Sequence, residues 1–194
     1  MQAYQRKEGR GWVYFTALKR VAQGWGQLDP MAEAIGFLLK SWHHSFYRFG
    51  MFAPVALKQY IERNLEVLTH ARSRSIDGLS REDEGLIARL FWEFTIALRR
   101  RGAESQVAPA KALGLLAPAF LPLWDNLIAS RYGWLLMVPR EYVSFCWQMK
   151  NLAAAVIPYL TSPDDRTVLK RIDEFNYSVY TKGWVSIRGT LGLG

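Results

Sequence analysis

This chain of 194 residues predicts an all-α fold, and three observations predict it. Apolar residues recur at helical spacing in nearly every segment. Capping residues, early prolines and late glycines separate those segments. Strand patterning with a period of two is scarce. Half of the residues are hydrophobic and 14% are aromatic, which suits a single domain of about eight helices around one core. Any division into two lobes falls near residues 100–125.

One helix precedes residue 24. Asp29-Pro30 reads as N-cap and first helical residue, with Glu33 in the first turn, opening a helix over 29–47. Ala53-Pro54 opens the next, over 54–71, where Val55, Leu57, Ile61, Leu65 and Leu68 recur at helical spacing. It fades in HARSRSIDG, a polar connector ending in Asp77-Gly78. Ser80 then caps an acidic first turn of Glu82, Asp83 and Glu84 in a helix over 80–100, which Arg99-Arg100-Arg101-Gly102 closes. Helices over 109–117 and 125–132 come next, the second stopped by Gly133. Pro139-Arg140-Glu141 starts a long helix over 139–156, and Ser162-Pro163-Asp164-Asp165 caps the last, over 163–181. The glycine-rich tail GWVSIRGTLGLG reads as peripheral. Trp92 and Trp147 lie among apolar helical neighbours and are expected in the core. Trp25, between glycines, and Trp184, in the tail, are expected at the surface.

Composition narrows the function classes. The net charge of +8 makes nucleic acid, anionic lipid and acidic proteins natural partners, because lysine and arginine replace counterions on a polyanion. No apolar run approaches the roughly 18 residues of a membrane span. The N-terminal MQAYQRKEGRGW lacks the apolar stretch of a secretory signal, so a cytoplasmic location is expected. Cys146 is the single cysteine, which excludes an internal disulfide and a cysteine-rich zinc site. His43 and His44 are adjacent and point about 100° apart on a helix; with only His70 besides, no metal site is expected, nor any cofactor. Glycine-rich phosphate loops and serine-nucleophile elbows are both missing.

One stretch departs from ordinary core. In KALGLLAPAFLPLWDN, residues 111–126, a lysine and an aspartate sit on either side of an apolar loop marked by Pro118 and Pro122. Two helices joined by such a corner bring Lys111 toward Asp125. The simplest account makes Asp125 an N-cap and lets Lys111 reach solvent along its aliphatic stem. Leading into this stretch are Arg99, Arg100 and Arg101; with Arg131 they are the candidate nucleic-acid contacts.

The arrangement V-A-P-A-K-A-L…P-A-F-L-P-L-W-D-N resembles the catalytic segment of the helix-hairpin-helix DNA glycosylase superfamily, of the kind that excises 8-oxoguanine. Lys111 matches that family's nucleophilic lysine and Asp125 its aspartate, with Val107, Pro118 and Pro122 in the surrounding frame. The match spans about 25 of the 194 residues. The family's glycine-rich hairpin is degenerate here, since SQVAPAK contains no glycine after Gly102. The resemblance implies DNA carrying a damaged or modified base as substrate, and cleavage of its glycosidic bond by a glycosylase/lyase. Lys111 would capture C1′, Asp125 would stabilise the oxocarbenium-like transition state, and Phe120 and Trp124 would receive the base. Two other readings stay open: a non-catalytic helical module that grips nucleic acid, and a structural or partner-binding protein.

Overall fold

The structure is a computed structural model that describes residues 4, 7–9, 11–160 and 166–186. Among the described residues it is all-α: ten α-helices, short 3-10 turns and no strand. The helices are α1 (Gly11–Gln23), α2 (Leu28–Trp42), α3 (His44–Tyr47), α4 (Pro54–Arg63), α5 (Leu65–Arg72), α6 (Glu84–Ala97), α7 (Val107–Leu116), α8 (Asn126–Arg131), α9 (Pro139–Val156) and α10 (Val168–Asn176).

Two helices expected as continuous are broken. The segment over 29–47 breaks at His43, whose backbone (φ −131°, ψ 37°) leaves the helix. The segment over 54–71 breaks at Asn64. Its side-chain amide donates to the Tyr60 carbonyl at 3.0 Å and to Glu93 at 2.6 Å, so a side chain shares the carbonyl that the helix ladder uses. The third difference lies at the arginine cluster. Helix α6 ends at Ala97, and residues Arg100–Ala103 form a tight turn with reciprocal backbone hydrogen bonds. Its two central residues, Arg101 and Gly102, have φ of +49° and +83°, the left-handed pair a two-residue hairpin turn requires. The arginines therefore come after the helix instead of closing it.

Other boundaries agree with the sequence. Pro54 and Pro139 open their helices, Asp125 caps α8, and Gly133 ends it with φ +88°. Asp83 accepts from the Ser80 backbone N–H at 2.8 Å before α6. Asp29 instead pairs with Lys58 at 2.8 Å. Trp92 is a correction: it is half exposed, because α6 turns Ile87, Leu90, Phe91 and Phe94 inward and leaves Trp92 beside that face. Trp147 is partly buried, and its indole N–H donates to Glu84. Trp25 and Trp184 are likewise partly buried instead of exposed; the Trp25 indole donates to Thr69. The cap expected at residues 162–165 and the end of the tail lie outside the described residues.

Helix α7 runs through the middle, against α1, α2 and α6, and every one of its residues is buried. A helix with no wet face is a core element, and the loop leaving it starts inside the protein. That loop, 117–124, is largely buried as well, so its carbonyls need partners that water would otherwise supply. Specific groups supply them: Thr167 donates to Pro118 O, the Ile76 N–H to Ala119 O and the Tyr142 hydroxyl to Pro122 O, while Arg72 donates to Leu116 O at the end of α7, all at 2.8–2.9 Å.

Close approach of that loop to α7 depends on Gly114. A Cβ built there would stand 2.7 Å from Leu123 Cδ2 and 3.3 Å from the Leu121 carbonyl. Gly114→Ala is expected to destabilise the protein by about 1–3 kcal/mol in urea unfolding, overpacking outweighing the gain in helix propensity. A neutral or stabilising result would show that the loop yields freely.

Candidate functional site

The two charges of residues 111–126 line one cavity. Its other described walls are Tyr4, Glu8, Trp42, Leu123, Trp124, Asp173 and Tyr177, and its volume is about 50 Å³. Such a space holds a few water molecules and falls below the few hundred Å³ of usual small-molecule sites.

Lys111 lies on the second turn of α7 and is only 8% exposed. Its ammonium donates to the Trp42 backbone carbonyl at 2.7 Å and lies 6.0 Å from the centre of the Trp42 ring. Trp42 is the last residue of α2. The last carbonyls of a helix lack intrahelical donors and carry the negative end of its dipole, so the ammonium terminates α2 from another helix. The expectation of a lysine reaching solvent is thereby corrected: the apolar helix and the loop folded over it close that route. Asp125 does cap α8. One carboxylate oxygen accepts the Ile128 N–H at 2.8 Å and the other the Thr181 hydroxyl at 2.9 Å.

Lys170 also lies against the Trp42 ring. It is buried, bonded to Asp173 at 2.6 Å, and enclosed by Tyr4, Tyr14 and Trp42 at 4.8–5.1 Å from its ammonium. The negative faces of these rings hold the charge where water cannot. Burial raises the carboxyl pKa of neighbouring Glu174, with Lys170 and Arg166 opposing that rise. Trp42 therefore serves two buried ammonium groups, Lys111 through its carbonyl and Lys170 through its ring.

The next residue makes a second pair. His43 Nε2 lies 2.7 Å from the Ser105 hydroxyl, and that oxygen also accepts the N–H groups of Val107 and Ala108 at the start of α7. With two donors already on the oxygen, its own proton is directed to Nε2, so the imidazole is held neutral with the proton on Nδ1. Burial, and then the positive charge of Lys111, lower the His43 pKa to about 4. The pair is a poor hydrolytic dyad, because an imidazolium formed in the transition state would face that same charge. Beside it opens a cleft of about 500 Å³ lined by His43, Phe46, Ser105, Asn126, Trp134 and Leu135, among others.

The remaining candidates scatter. Trp124 lines the cavity with one edge, while its indole N–H donates to Gln106 O and Phe91, Tyr142 and Phe145 pack its rings. Phe120 is apart from the cavity: it is buried under the Arg74 guanidinium at 4.3 Å, which in turn pairs with Asp83. The expected two-ring base pocket is therefore not assembled, because loop 117–124 turns Phe120 toward Arg74, just beyond α5. Arg99 pairs with Glu104, Arg100 lies over Phe46, Arg101 is exposed in the turn, and Arg131 is exposed near Tyr180. None of the four lines the Lys111 cavity. Among the described residues no group of three or more His, Cys, Asp or Glu side chains is placed to hold a metal ion. Cys146 is buried, which pushes its thiol pKa up and leaves it unreactive.

Sequence reasoning missed Trp42, Asp173, Tyr177, and the His43–Ser105 and Lys170 pairings. These come together from distant segments, and no local spacing announces them. Comparisons with protein-family models, with curated proteins and with solved structures return no match.

The coupling of His43 to Lys111 is measurable. In Lys111→Met the His43 pKa, followed by NMR, should rise from about 4 part of the way to its ordinary value near 6.5, burial retaining the rest. Because the folded state resists protonating His43, stability should fall as the pH drops from about 6.5 toward 4. The variant should lose less over that window. An unchanged His43 titration would remove Lys111 from the electrostatics of this site.

Proposed function

We propose that the protein cleaves the glycosidic bond of a damaged or modified nucleotide in DNA, as a glycosylase/lyase with Lys111 as nucleophile and Asp125 as electrostatic stabiliser. The observation that carries the reading is the shared cavity: a buried lysine and a helix-capping aspartate, separated in sequence by a proline-marked loop, line one space. The resemblance of residues 107–126 to the helix-hairpin-helix glycosylases and the charge of +8 support it further.

The chemistry balances. Lys111 Nζ, once it has lost its ammonium proton, attacks C1′ as the bond to the base breaks. The base leaves with the bonding pair and takes up a proton. Ring opening of the sugar and loss of the second amine proton leave a Schiff base between Nζ and C1′, which borohydride reduces to a stable amine. The negative charge of Asp125 favours the positive charge that develops on the sugar. Attack requires the neutral amine, so the hydrogen bond from Lys111 Nζ to the Trp42 carbonyl has to open as the nucleophile forms.

A second reading, a helical module that grips nucleic acid without chemistry, is favoured by the size of the cavity. At about 50 Å³ it admits a nucleobase only if its walls part. Both charges also already serve helix ends.

Borohydride trapping separates the two. On oligonucleotides carrying damaged bases or abasic sites, the protein should form a covalent adduct that Lys111→Gln abolishes. Asp125→Asn keeps a residue type that caps well; it should slow cleavage by about ten-fold or more and leave the fold intact. Persistent trapping in Lys111→Gln would exclude Lys111 as the nucleophile, and absence of any adduct would favour the non-catalytic module.

A further inference from the structure

A stack of rings and guanidinium groups leads outward from the His43–Ser105 pair. The His43 ring lies parallel to Phe46, with centroids 5.3 Å apart and planes at 8°. The Arg100 guanidinium sits 5.0 Å from the Phe46 ring and 5.9 Å from that of Phe49. Arg48 covers the Phe49 ring at 4.4 Å. Phe49 is nevertheless 61% exposed, a large aromatic left at the surface. Neither Arg48 nor Arg100 forms an ion pair among the described residues, and Arg100 Nε is buried without a hydrogen-bond partner. Phe46 and His43 continue the row into the wall of the 500 Å³ cleft.

We propose that this strip, from Arg48 and Phe49 through Arg100 to Phe46, is a docking surface for single-stranded DNA. One base stacks on Phe49, its neighbour enters the cleft beside Phe46, and the phosphate that links them and the next one along the strand lie on the two guanidinium groups. Aromatic faces alternating with arginine are what a strand with unstacked bases can use, since every base has a π-face and every linkage a charge. A duplex offers its phosphates but keeps its base faces covered. An acidic peptide would meet the arginines and leave the aromatic faces and the cleft unused. The surface shares with the proposed function the premise that DNA is the partner, and it includes neither Lys111 nor Asp125.

Fluorescence anisotropy with the intact protein and a labelled strand of about 12 unmodified deoxynucleotides tests this. The single strand should bind on the order of ten-fold more tightly than the duplex of the same sequence. Phe49→Ala, at an exposed position where folding is not at stake, should weaken it by about ten-fold. Phe49→Tyr should restore it, and binding should fall steeply with added salt. Wild-type affinity in Phe49→Ala, or equal affinity for duplex, would overturn the proposal. So would tighter binding of the matching RNA, or displacement by polyglutamate at concentrations as low as those of competing DNA. A wild type that binds the single strand yet forms no borohydride adduct counts against the lysine chemistry, and an unaltered Phe49→Ala counts against the strip.

Discussion

The ammonium of Lys111 is a full charge placed on a helix that has no face in water, and the surrounding architecture is arranged around that fact. A charge there is tolerated only with strong acceptors at hand. The end of α2 provides one in the Trp42 carbonyl, at 2.7 Å. This contact ties the central helix to the helix before the break at His43, and so fixes where the chain leaves α2. His43 then lies against Ser105 at the start of α7, and Phe46 and Phe49 continue as the surface row. Lys170 seats α10 against the ring of the same tryptophan. One tryptophan thus joins both buried lysines, and both cavities border its immediate surroundings.

The loop after α7 is the second constraint. It folds back on its own helix at Gly114; partners from the 76–78 turn, α9 and the start of α10 hold its carbonyls, and Arg72 of α5 holds the last carbonyl of α7. Asp125 emerges from this loop with its direction already set, and its carboxylate caps α8 while its other oxygen reaches Thr181. Charge and position in the cavity therefore result from packing on either side. That an aspartate and a lysine line one cavity is a consequence of helix α7 and its loop forming one corner.

Much of the fold was legible because helices carry their punctuation locally. Pro54, Pro139, Asp125 and Gly133 mark real boundaries, each through a backbone requirement that the residue itself meets. The breaks at His43 and Asn64 were not legible. Asn64 leaves the ladder because of Glu93, a residue it meets only in three dimensions. The candidate site was half legible for the same reason. Lys111 and Asp125 stand out as charges in apolar sequence, and the loop between them signals a corner. Trp42, Asp173 and Tyr177 look like ordinary members of amphipathic helices until the chain folds. Phe120 misled because an aromatic residue in a loop gives no sign of which way it turns. The arginine cluster misled by resembling a helix end, when Arg101 and Gly102 in fact make a left-handed turn.

The central claim is that Lys111 and Asp125 belong to one electrostatic unit, and a double-mutant cycle measures this directly. Urea unfolding of the wild type, Lys111→Met, Asp125→Asn and the double variant yields the coupling between the two side chains, free of what each contributes alone. Membership of one site predicts a coupling of about 0.5–3 kcal/mol, diminished at high salt. Additivity to within about 0.3–0.5 kcal/mol would mean that the two charges serve separate helix ends and nothing in common, and the account of a joint site would be contradicted.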